Sequence, residues 1–372
     1  MKIALIAALL QCLRSPDLNN GVCLDLKPIL AVIISVMCMQ KSLSRKRLRE
    51  IHEILHVISD FATNLPQFRQ RINENLPSRA WYGKDMWNGV KDRPYEFFEV
   101  TGETPESFME MFKKVSKKIS SNPRKLNAIN KLLMTLIWLR TYNTYASLSV
   151  MFDVSITDVH RITKSVWPIL FNTFASKIYW PSREEWMRLN QVWPQLPGVV
   201  GAIDGTSHEI YVPNNMDERK STYSGHRKYH CIHTQIVIDS ARNIRHVHSG
   251  FFGHKNDAQS YREMPDIGPG KQLDMPVEYF LLADAIYPAK IPLLTPYRKN
   301  QLSKTDPELR KQQELYNEVH KRHRVYVEHV IAELKCYKII SSIHRHSKTK
   351  LKKLVKLCAC LAQRRVDIFE SV

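Results

Sequence analysis

The sequence has little glycine and no internal repeat or low-complexity tract. Glycine accounts for only 12 of the 372 residues, so neither a glycine-rich linker nor a repeat array organises the chain. Apolar residues make up 44%, which is an ordinary fraction for a globular protein. The length and composition therefore predict a folded chain of two or three domains.

The seven cysteines lack the spacing of a common zinc-binding motif. No two of them are separated by two residues, which is the gap found in zinc knuckles. One alternative stays open, because Cys358 and Cys360 follow His344 and His346 and these four side chains could form a zinc site. Reduced, buried thiols in an intracellular protein are the favoured interpretation.

The chain also lacks an apolar run long enough to cross a membrane at its N-terminal end. The run at residues 29–39 has about 11 residues, whereas a membrane-spanning helix needs about 20. Residues 1–13 resemble a weak signal peptide, so a secreted or membrane-tethered protein is an alternative. We expect both runs to be core helices of a helical N-terminal region, residues 1–70. Its basic run, residues 44–49, is typical of a nuclear import signal, a phosphate-contacting patch or a solvated helix face.

Acidic residues are scarce relative to basic ones. Lys and Arg number 55 against 36 Asp and Glu, which gives a net charge of +19. Such an imbalance favours binding to a polyanion, and nucleic acid is the most common one.

Residues 71–122 predict a linker followed by one helix. Residues 71–103 show no clear periodicity but contain several aromatic side chains that could pack. Thr104 is a favourable N-cap and Pro105 suits the first helical position. The sequence therefore predicts a helix from this point to about residue 120.

Residues 123–172 have the pattern of a helix-turn-helix. Residues 126–141 and 145–152 predict two helices, and Ser155 with Asp158 predicts the N-cap of a third. The exposed side of this third helix would carry His160, Arg161 and Lys164. Helices that join in this way can place polar and basic side chains in a DNA groove, although an ordinary helical hairpin has a similar pattern.

The periodicity changes after residue 195, where strands are predicted. Residues 198–204, 230–239, 243–252 and 278–284 have the apolar or alternating composition of strands. A long polar helix is predicted over residues 307–340. The order of these elements predicts an α/β domain with a mixed sheet and helices packed on it.

Three acidic residues occupy comparable contexts in this domain. Asp204 follows the apolar run 197–203, Asp284 ends the run 278–284, and Glu328 lies in the predicted long helix. Two carboxylates at strand ends and one on a facing helix can hold a pair of Mg²⁺ ions. A pair of such ions can bind the attacking and leaving oxygens of a phosphoryl transfer.

The sequence resembles DDE-superfamily transposases of the PIF/Harbinger type. The resemblance covers roughly residues 100–345, and the residues from Leu132 through Val159 are similar to the helix-turn-helix that precedes the nuclease domain in related elements. The other matching segments are GAIDGTSH (201–208), YSGHRKYH (223–230), GHKND (253–257), ADAIYP (283–288) and the spacing of Tyr316, Asn317, Arg324, Val327, Glu328, Leu334 and Lys335.

This resemblance implies an RNase H-like fold with Asp204, Asp284 and Glu328 as the catalytic, metal-binding triad. Glu333 is the alternative for the glutamate, but Glu328 follows Val327 and Arg324 as in the family pattern. Asp257 is a further candidate, either as a metal ligand, as a supporting group around the metal, or as the cap of a helix that begins there. The implied cofactor is a divalent metal, Mg²⁺ or Mn²⁺.

The chain departs from the family pattern around Asp284. Ala283 replaces the glycine before it, and Ala285-Ile286 replaces Ser-Gly after it. A glycine at the Ile286 position can serve a backbone angle with positive φ, which a β-branched residue resists. This departure favours reduced catalysis, although the three carboxylates are present.

We therefore expect a nuclear DNA transposase or a nuclease derived from one. The alternative is a domesticated DNA-binding protein with the same fold and little or no activity. Related elements are thought to use a Myb-like accessory DNA-binding protein, and a homo-oligomer is a further possibility. The expected domains are a helical region (1–70), a linker and helix (71–122), the helix-turn-helix (123–172), the nuclease domain (195–345) and a basic helical tail (346–372). The expected DNA-contacting residues are His160, Arg161, Lys164, Arg227, Lys228, Arg324 and Lys335. Further cations suited to DNA are Arg219, Lys220, His230, Arg298, Lys299 and Arg322.

Overall fold

The computed structural model of the protein describes residues 81–120, 126–189 and 192–370. The predictions for residues 1–70, including the apolar run 29–39 and the basic run 44–49, lie outside the described residues. Within the described part of the chain, no helix is both long and apolar enough to cross a membrane.

The first part of the described chain is helical. Its packing centres on one helix, Ala128–Thr141, whose side chains from Leu132 to Arg140 are all buried. A helix that is buried on every side must be surrounded by other helices. The helices of this region are α1 (Met86–Val90), α2 (Pro94–Thr101), α3 (Pro105–Val115), α4 (Ala128–Thr141), α5 (Tyr145–Phe152), α6 (Ile156–Phe174) and α7 (Arg183–Leu189).

Local capping residues fix the starts of these helices. The Thr104 hydroxyl accepts a hydrogen bond from the Ser107 amide, and the Ser155 hydroxyl accepts one from the Asp158 amide. Both N-caps were predicted and are confirmed. Asp153, between α5 and α6, adopts φ = 50°, so the left-handed residue that ends α5 also starts the turn of the helix-turn-helix.

The predicted linker is wrong for residues 86–101, which form α1 and α2. Three aromatic rings explain the difference, because Trp87 lies 4.8 Å from Phe108 and 5.7 Å from Phe97 between ring centroids. Packing of these rings fixes two short helices that have little periodicity of their own.

The second part of the chain is built on a mixed sheet. Its strands are β1 (Val199–Glu209), β2 (Tyr223–Ser224), β3 (Tyr229–Asp239), β4 (Ile244–Phe252), β7 (Phe280–Leu282) and β8 (Leu293–Leu294), and β5 (Ile267–Gly268) with β6 (Leu273–Asp274) forms a separate parallel pair. β3 pairs antiparallel with β1, β2 and β4, whereas β1, β7 and β8 run parallel. This arrangement confirms the prediction of a mixed sheet.

The two faces of the sheet belong to different apolar cores. Ala202, Ile236 and Leu282 belong to the core shared with the helical region, whereas their neighbours Ile203, Val237 and Leu281 belong to a smaller core around Trp186. Alternation along a strand puts neighbouring side chains on opposite faces. The helices of this part are α8 (Met216–Thr222), α9 (Asp257–Glu263), α10 (Pro307–Lys335), α11 (Lys338–Ser341) and α12 (Lys348–Glu370).

The predicted basic helical tail is part of the main core over residues 351–364 of α12. Leu351, Leu354, Val355 and Leu357 are at most 1% exposed. Its Arg364 guanidinium donates to the hydroxyl of Ser107 at 2.9 Å and lies 3.5 Å from Glu103. The lysines of this segment lie on one side of α12, and its apolar residues lie on the other. Because that apolar side is buried in the main core, α12 joins the helical region to the sheet.

We predict that Leu357→Ala lowers the free energy of unfolding by about 2–5 kcal/mol, because it leaves a cavity in a fully packed core. Lys353→Ala, on the exposed side of the same helix, should change it by about 0.5 kcal/mol or less. Denaturant unfolding followed by circular dichroism measures both. Equal effects of the two substitutions would contradict the placement of α12 in the core.

Candidate functional site

The parallel pairing of β1 with β7 places two aspartates side by side. Ala202 is the register partner of Leu282, and Asp204 and Asp284 each lie two residues further along. Because side chains two residues apart on a strand point to the same face, both carboxylates are expected on the face that carries Ala202 and Leu282. Neighbouring strands are about 4.8 Å apart, so the backbone at both aspartates starts from adjacent positions of the sheet.

Asp204 does not end its strand, in contrast to the prediction. β1 continues to Glu209, because residues 205–209 go on pairing with β3 as far as Cys231. Asp204 is therefore rigidly held and largely buried, with 19% of its side chain exposed. Asp284 lies two residues beyond the end of β7 and is exposed.

Helix α10 brings Glu328 to the same face. Val327 is buried between the helix and the sheet, and the adjacent Glu328 points outward. Arg324, one turn earlier, joins the two acidic residues: its Nη2 donates to Glu328 and its Nη1 lies 3.5 Å from Asp204 Oδ2. One guanidinium thus bridges the strand carboxylate and the helix carboxylate.

The alternative glutamate, Glu333, lies elsewhere on the helix. It is exposed and is about 140° around the helix from Glu328. The charges that act on Asp204 include Glu328 but not Glu333. The helix geometry therefore groups Glu328 with Asp204, while its catalytic role stays a prediction.

Burial is the main influence on the charge of Asp204. It raises the pKa of this carboxyl from 3.8 to about 6, whereas the amide of Gly205 and the guanidinium of Arg324 lower it. The nearby Asp257 and Glu328 raise it further. The site is therefore a concentration of negative charge that one arginine only partly balances.

Asp257 approaches Gly205, the residue after Asp204, from the opposite face of β1. A Cβ atom at Gly205 would be 1.8 Å from Asp257 Oδ1, so only glycine allows this approach. The amide of Gln235 donates to the same oxygen at 2.9 Å, and the Tyr287 hydroxyl donates to Gln235 Oε1 at 2.5 Å. The expected capping role belongs instead to Asn256, whose side chain accepts from the Gln259 amide.

Gln235 and Tyr287 are residues of the site that the sequence did not single out. Gln235 is a fully buried amide of β3, directly before the apolar run Ile236–Ile238, and a glutamine inside a predicted strand was the available signal. Tyr287 lies within the ADAIYP segment. Together they fix the orientation of the Asp257 carboxylate.

The donor set of the site suits a hard cation, because Asp204, Asp257, Asp284 and Glu328 all offer carboxylate oxygens. Across the described residues, however, no three His, Cys, Asp or Glu side chains stand close enough together to hold a metal ion. The guanidinium of Arg324 lies between Asp204 and Glu328, and it supplies positive charge at the point where their oxygens converge.

The segment after Asp284 does not carry the backbone strain that its sequence suggested. The non-glycine residues with positive φ in the described chain are Tyr142, Asp153, Lys228 and Arg242, and Ile286 is not among them. The Ile286 side chain is 43% exposed. The replacement of glycine therefore changes the surface beside the site rather than the backbone.

The alternative zinc site is not assembled either. Cys358 and Cys360 are buried in α12, and burial raises the pKa of Cys358 well above its ordinary value. A thiol in this environment stays protonated and packs as an apolar group.

Five of the predicted DNA-contacting residues lie on the surface. His160, Arg161 and Lys164 are exposed along α6, and Arg227 and Lys228 are exposed in the turn between β2 and β3. The ring of His160 also packs edge-to-face on Tyr145.

Arg324 and Lys335 differ from that expectation. Arg324 forms ion pairs with the two carboxylates described above. Lys335 donates through its ammonium to the carbonyl of Ser207, and burial, followed by the charge of Arg227, lowers its pKa to about 8. Because its head group is turned toward β1, Lys335 contacts the strand, and its role in DNA binding stays a prediction.

Comparisons with known families agree with this division of the chain. Residues 203–363 match the family described as DDE superfamily endonuclease, and residues 124–176 match the helix-turn-helix of DDE superfamily endonuclease. No curated protein and no solved structure matches the chain. The endonuclease match begins just before Asp204 and ends within α12.

We predict that Asp204→Asn raises the free energy of unfolding at pH 7.5 in metal-free buffer by roughly 1–3 kcal/mol. The folded-state pKa of about 6 lies above the ordinary 3.8, so ionisation of Asp204 disfavours the folded state as the pH rises between these values. The gain should disappear at pH 4, where the carboxyl is largely protonated in the folded protein.

Chemical unfolding at both pH values, with EDTA present, measures this difference. Glu333→Gln is the control, and its effect should not change between the two pH values. A larger benefit of Asp204→Asn at pH 4 than at pH 7.5 would contradict the assignment of a raised pKa.

Proposed function

We propose that this chain, which contains a DDE superfamily endonuclease domain and the helix-turn-helix of that superfamily, is a DNA transposase or a nuclease derived from one. The proposed reaction is hydrolysis of a DNA phosphodiester with Mg²⁺ or Mn²⁺, followed by attack of the freed 3′-hydroxyl on a target strand. We assign it to the PIF/Harbinger type and its second domain to the RNase H-like fold. The observation that carries the proposal is the register that pairs Ala202 with Leu282, two residues before Asp204 and Asp284 on neighbouring chain segments.

Asp204, Asp284 and Glu328 are the proposed metal-binding residues, with Asp257 as an additional candidate. A pair of bound divalent ions would supply activation of the attacking oxygen and stabilisation of the leaving oxygen. The chain positions the three carboxylates. Asp204 lies in β1, Asp284 follows β7, which is paired with β1, and Glu328 lies in α10. Arg324 reduces the repulsion between Asp204 and Glu328, and Gln235 holds Asp257 in one orientation.

DNA binding is assigned to the surface of α6 together with the turn between β2 and β3. Both surfaces present exposed cations on a chain of net charge +19. Contacts of such cations with phosphates position the duplex without reading its sequence. Arg324 and Lys335 are left out of this surface because their charged groups are engaged inside the protein.

A DNA transposase acts in the nucleus, so we propose a nuclear location, with a Myb-like accessory protein and self-association as possible aids to DNA binding. A fluorescent fusion distinguishes this from the secretory alternative, because a secretory or membrane signal would overturn it. Co-purification with a DNA-binding partner tests the accessory protein.

A catalytically weak DNA-binding protein of the same fold is the second candidate. The observation that favours it is the engagement of Arg324 with both Asp204 and Glu328, since this guanidinium competes with a metal ion for the same oxygens. Nicking of supercoiled plasmid with Mg²⁺ or Mn²⁺, compared with EDTA, separates the two candidates.

We predict that Asp204→Ala, Asp284→Ala and Glu328→Ala each abolish metal-dependent cleavage, because loss of one shared ligand disables both ions. DNA affinity should change by less than about threefold, since phosphate contacts by cations dominate it. Cleavage is measured on DNA that carries the element's terminal repeats, and affinity by a gel-shift assay.

Glu333→Ala is the matched control for the helix carboxylate and should keep its activity. An inactive Glu333→Ala protein together with an active Glu328→Ala protein would reverse the assignment of the glutamate.

We predict that the double substitution Arg161→Ala/Lys164→Ala weakens DNA binding and flattens its dependence on salt. Removal of two phosphate contacts should reduce the slope of log affinity against log salt concentration by about 2. Lys113→Ala/Lys114→Ala removes the same charge from the exposed side of α3 and is the control. Equal slopes in the two double variants would mean that α6 does not face DNA.

A further inference from the structure

A cavity of about 330 Å³ opens directly beside the candidate active site. One wall is the segment from Ala285 to Ala289, which follows Asp284. Another is formed by Ala258 and Arg262 of α9, the helix that begins with Asp257. The third wall is the loop that carries Arg298. The cavity is therefore lined by residues that directly follow Asp284 and Asp257 in the sequence, although neither carboxylate lines it.

The charged side chains that line the cavity are both arginines, Arg262 and Arg298. Arg298 Nη2 donates to the carbonyl of Ala285 at 2.5 Å, which fixes the guanidinium at the mouth of the cavity. A guanidinium has five N–H donors, and this hydrogen bond uses one of those on Arg298. Arg262 is exposed on α9 and forms no ion pair with another described residue.

Several of the remaining residues that line the cavity are apolar. Ile286 is 43% exposed, and the alanines at positions 258, 285 and 289 leave space around it. An exposed β-branched side chain beside a charged mouth suits a ligand with an anionic end and a flat apolar face.

The loop that carries Arg298 is held in place before any ligand binds. The amide of Tyr297 donates to the side chain of Asn317 at 2.8 Å, and the Asn317 amide group donates back to the Tyr297 carbonyl at 2.9 Å. Asn317 belongs to α10, the helix that also carries Arg324 and Glu328. The cavity and the carboxylates are thus built on one rigid scaffold.

We propose that this cavity binds one unstacked nucleotide of the DNA strand, next to the phosphodiester that lies at the carboxylates. Arg298 and Arg262 bind its phosphate, and Ile286 contacts its base. Guanidinium groups match phosphate geometry, and apolar contact with a base face tolerates any sequence. The inference rests on the proposed function, because it assumes that DNA is the substrate.

The test is equilibrium binding of fluorescein-labelled tetrathymidylate to the full chain, measured by anisotropy without divalent cations. An abasic tetranucleotide of equal charge is the second probe. The proteins compared are the unchanged chain, Arg298→Ala, Ile286→Gly and the control Arg310→Ala, which removes an equal charge from an exposed part of α10. Thermal unfolding verifies that each variant is folded.

We expect the unchanged chain to bind tetrathymidylate at least about threefold more tightly than the abasic probe. Ile286→Gly should remove this preference while leaving the abasic probe's affinity unchanged. Arg298→Ala should weaken both probes by on the order of tenfold, and Arg310→Ala by less than about twofold.

Equal affinities of the unchanged chain for the two probes would overturn the proposal, as would equal effects of Arg298→Ala and Arg310→Ala. Displacement of the probe by inorganic phosphate as readily as by unlabelled tetrathymidylate would reduce the cavity to a simple anion site and also overturn it. The binding test contains no metal, so it is independent of catalysis. If the probes bind as expected but the chain does not cleave DNA, the proposed catalytic function is wrong and the proposed nucleotide site stands. If the chain cleaves DNA but the probes do not bind as expected, the nucleotide site is wrong and the catalytic function stands.

Discussion

The parallel register between β1 and β7 is the constraint on which the candidate site depends. It places Asp204 beside Asp284, and it leaves Asp204 in the middle of a strand that is paired on both sides. A carboxylate in that position is costly to ionise, and its pKa of about 6 expresses this cost. The amide of Gly205 and the guanidinium of Arg324 offset part of it, so the neighbouring backbone and α10 are tied to the charge of one side chain. A site that concentrates negative charge in this way sacrifices stability in the metal-free state, as functional sites commonly do.

The helical region and the sheet share one apolar core, and two arginines join them. Arg364 of α12 reaches Ser107 and Glu103 in the interior. Arg345, between α11 and α12, stacks over the ring of Tyr142 at 4.0 Å and its amide donates to the Tyr142 hydroxyl. The helix-turn-helix is therefore fixed relative to the carboxylates. DNA that contacts α6 would meet the site at a set distance and angle, without a flexible connection between binding and chemistry.

Arg324 binds the same carboxylate oxygens that a metal ion would need. As it stands, the guanidinium neutralises Asp204 and Glu328 and keeps them near each other. A divalent cation at the same oxygens would have to displace it, and the freed arginine would then lie beside the phosphate of a bound strand. The proposed activity would therefore depend on the balance between this internal ion pair and metal binding, which the cleavage and mutational experiments measure directly.

Sequence by itself determined the features that depend on neighbours along the chain. Thr104 and Ser155 marked helix starts because an N-cap is a local hydrogen bond, and apolar periodicity located the main strands and helices to within a few residues. The order of acidic residues and motifs identified Asp204, Asp284 and Glu328 as a group. Only the tertiary structure decided the rest. The basic segment 346–372 became a core helix since its apolar side meets helices far away in sequence, and Lys335 turned inward because the Ser207 carbonyl lies within its reach. Gln235 of β3 donates a hydrogen bond to Asp257 of α9, and Ile286 lines a cavity and does not lie in a strained turn. These outcomes depend on which distant groups come within a few ångströms of one another, and that information is carried by packing and not by any local pattern.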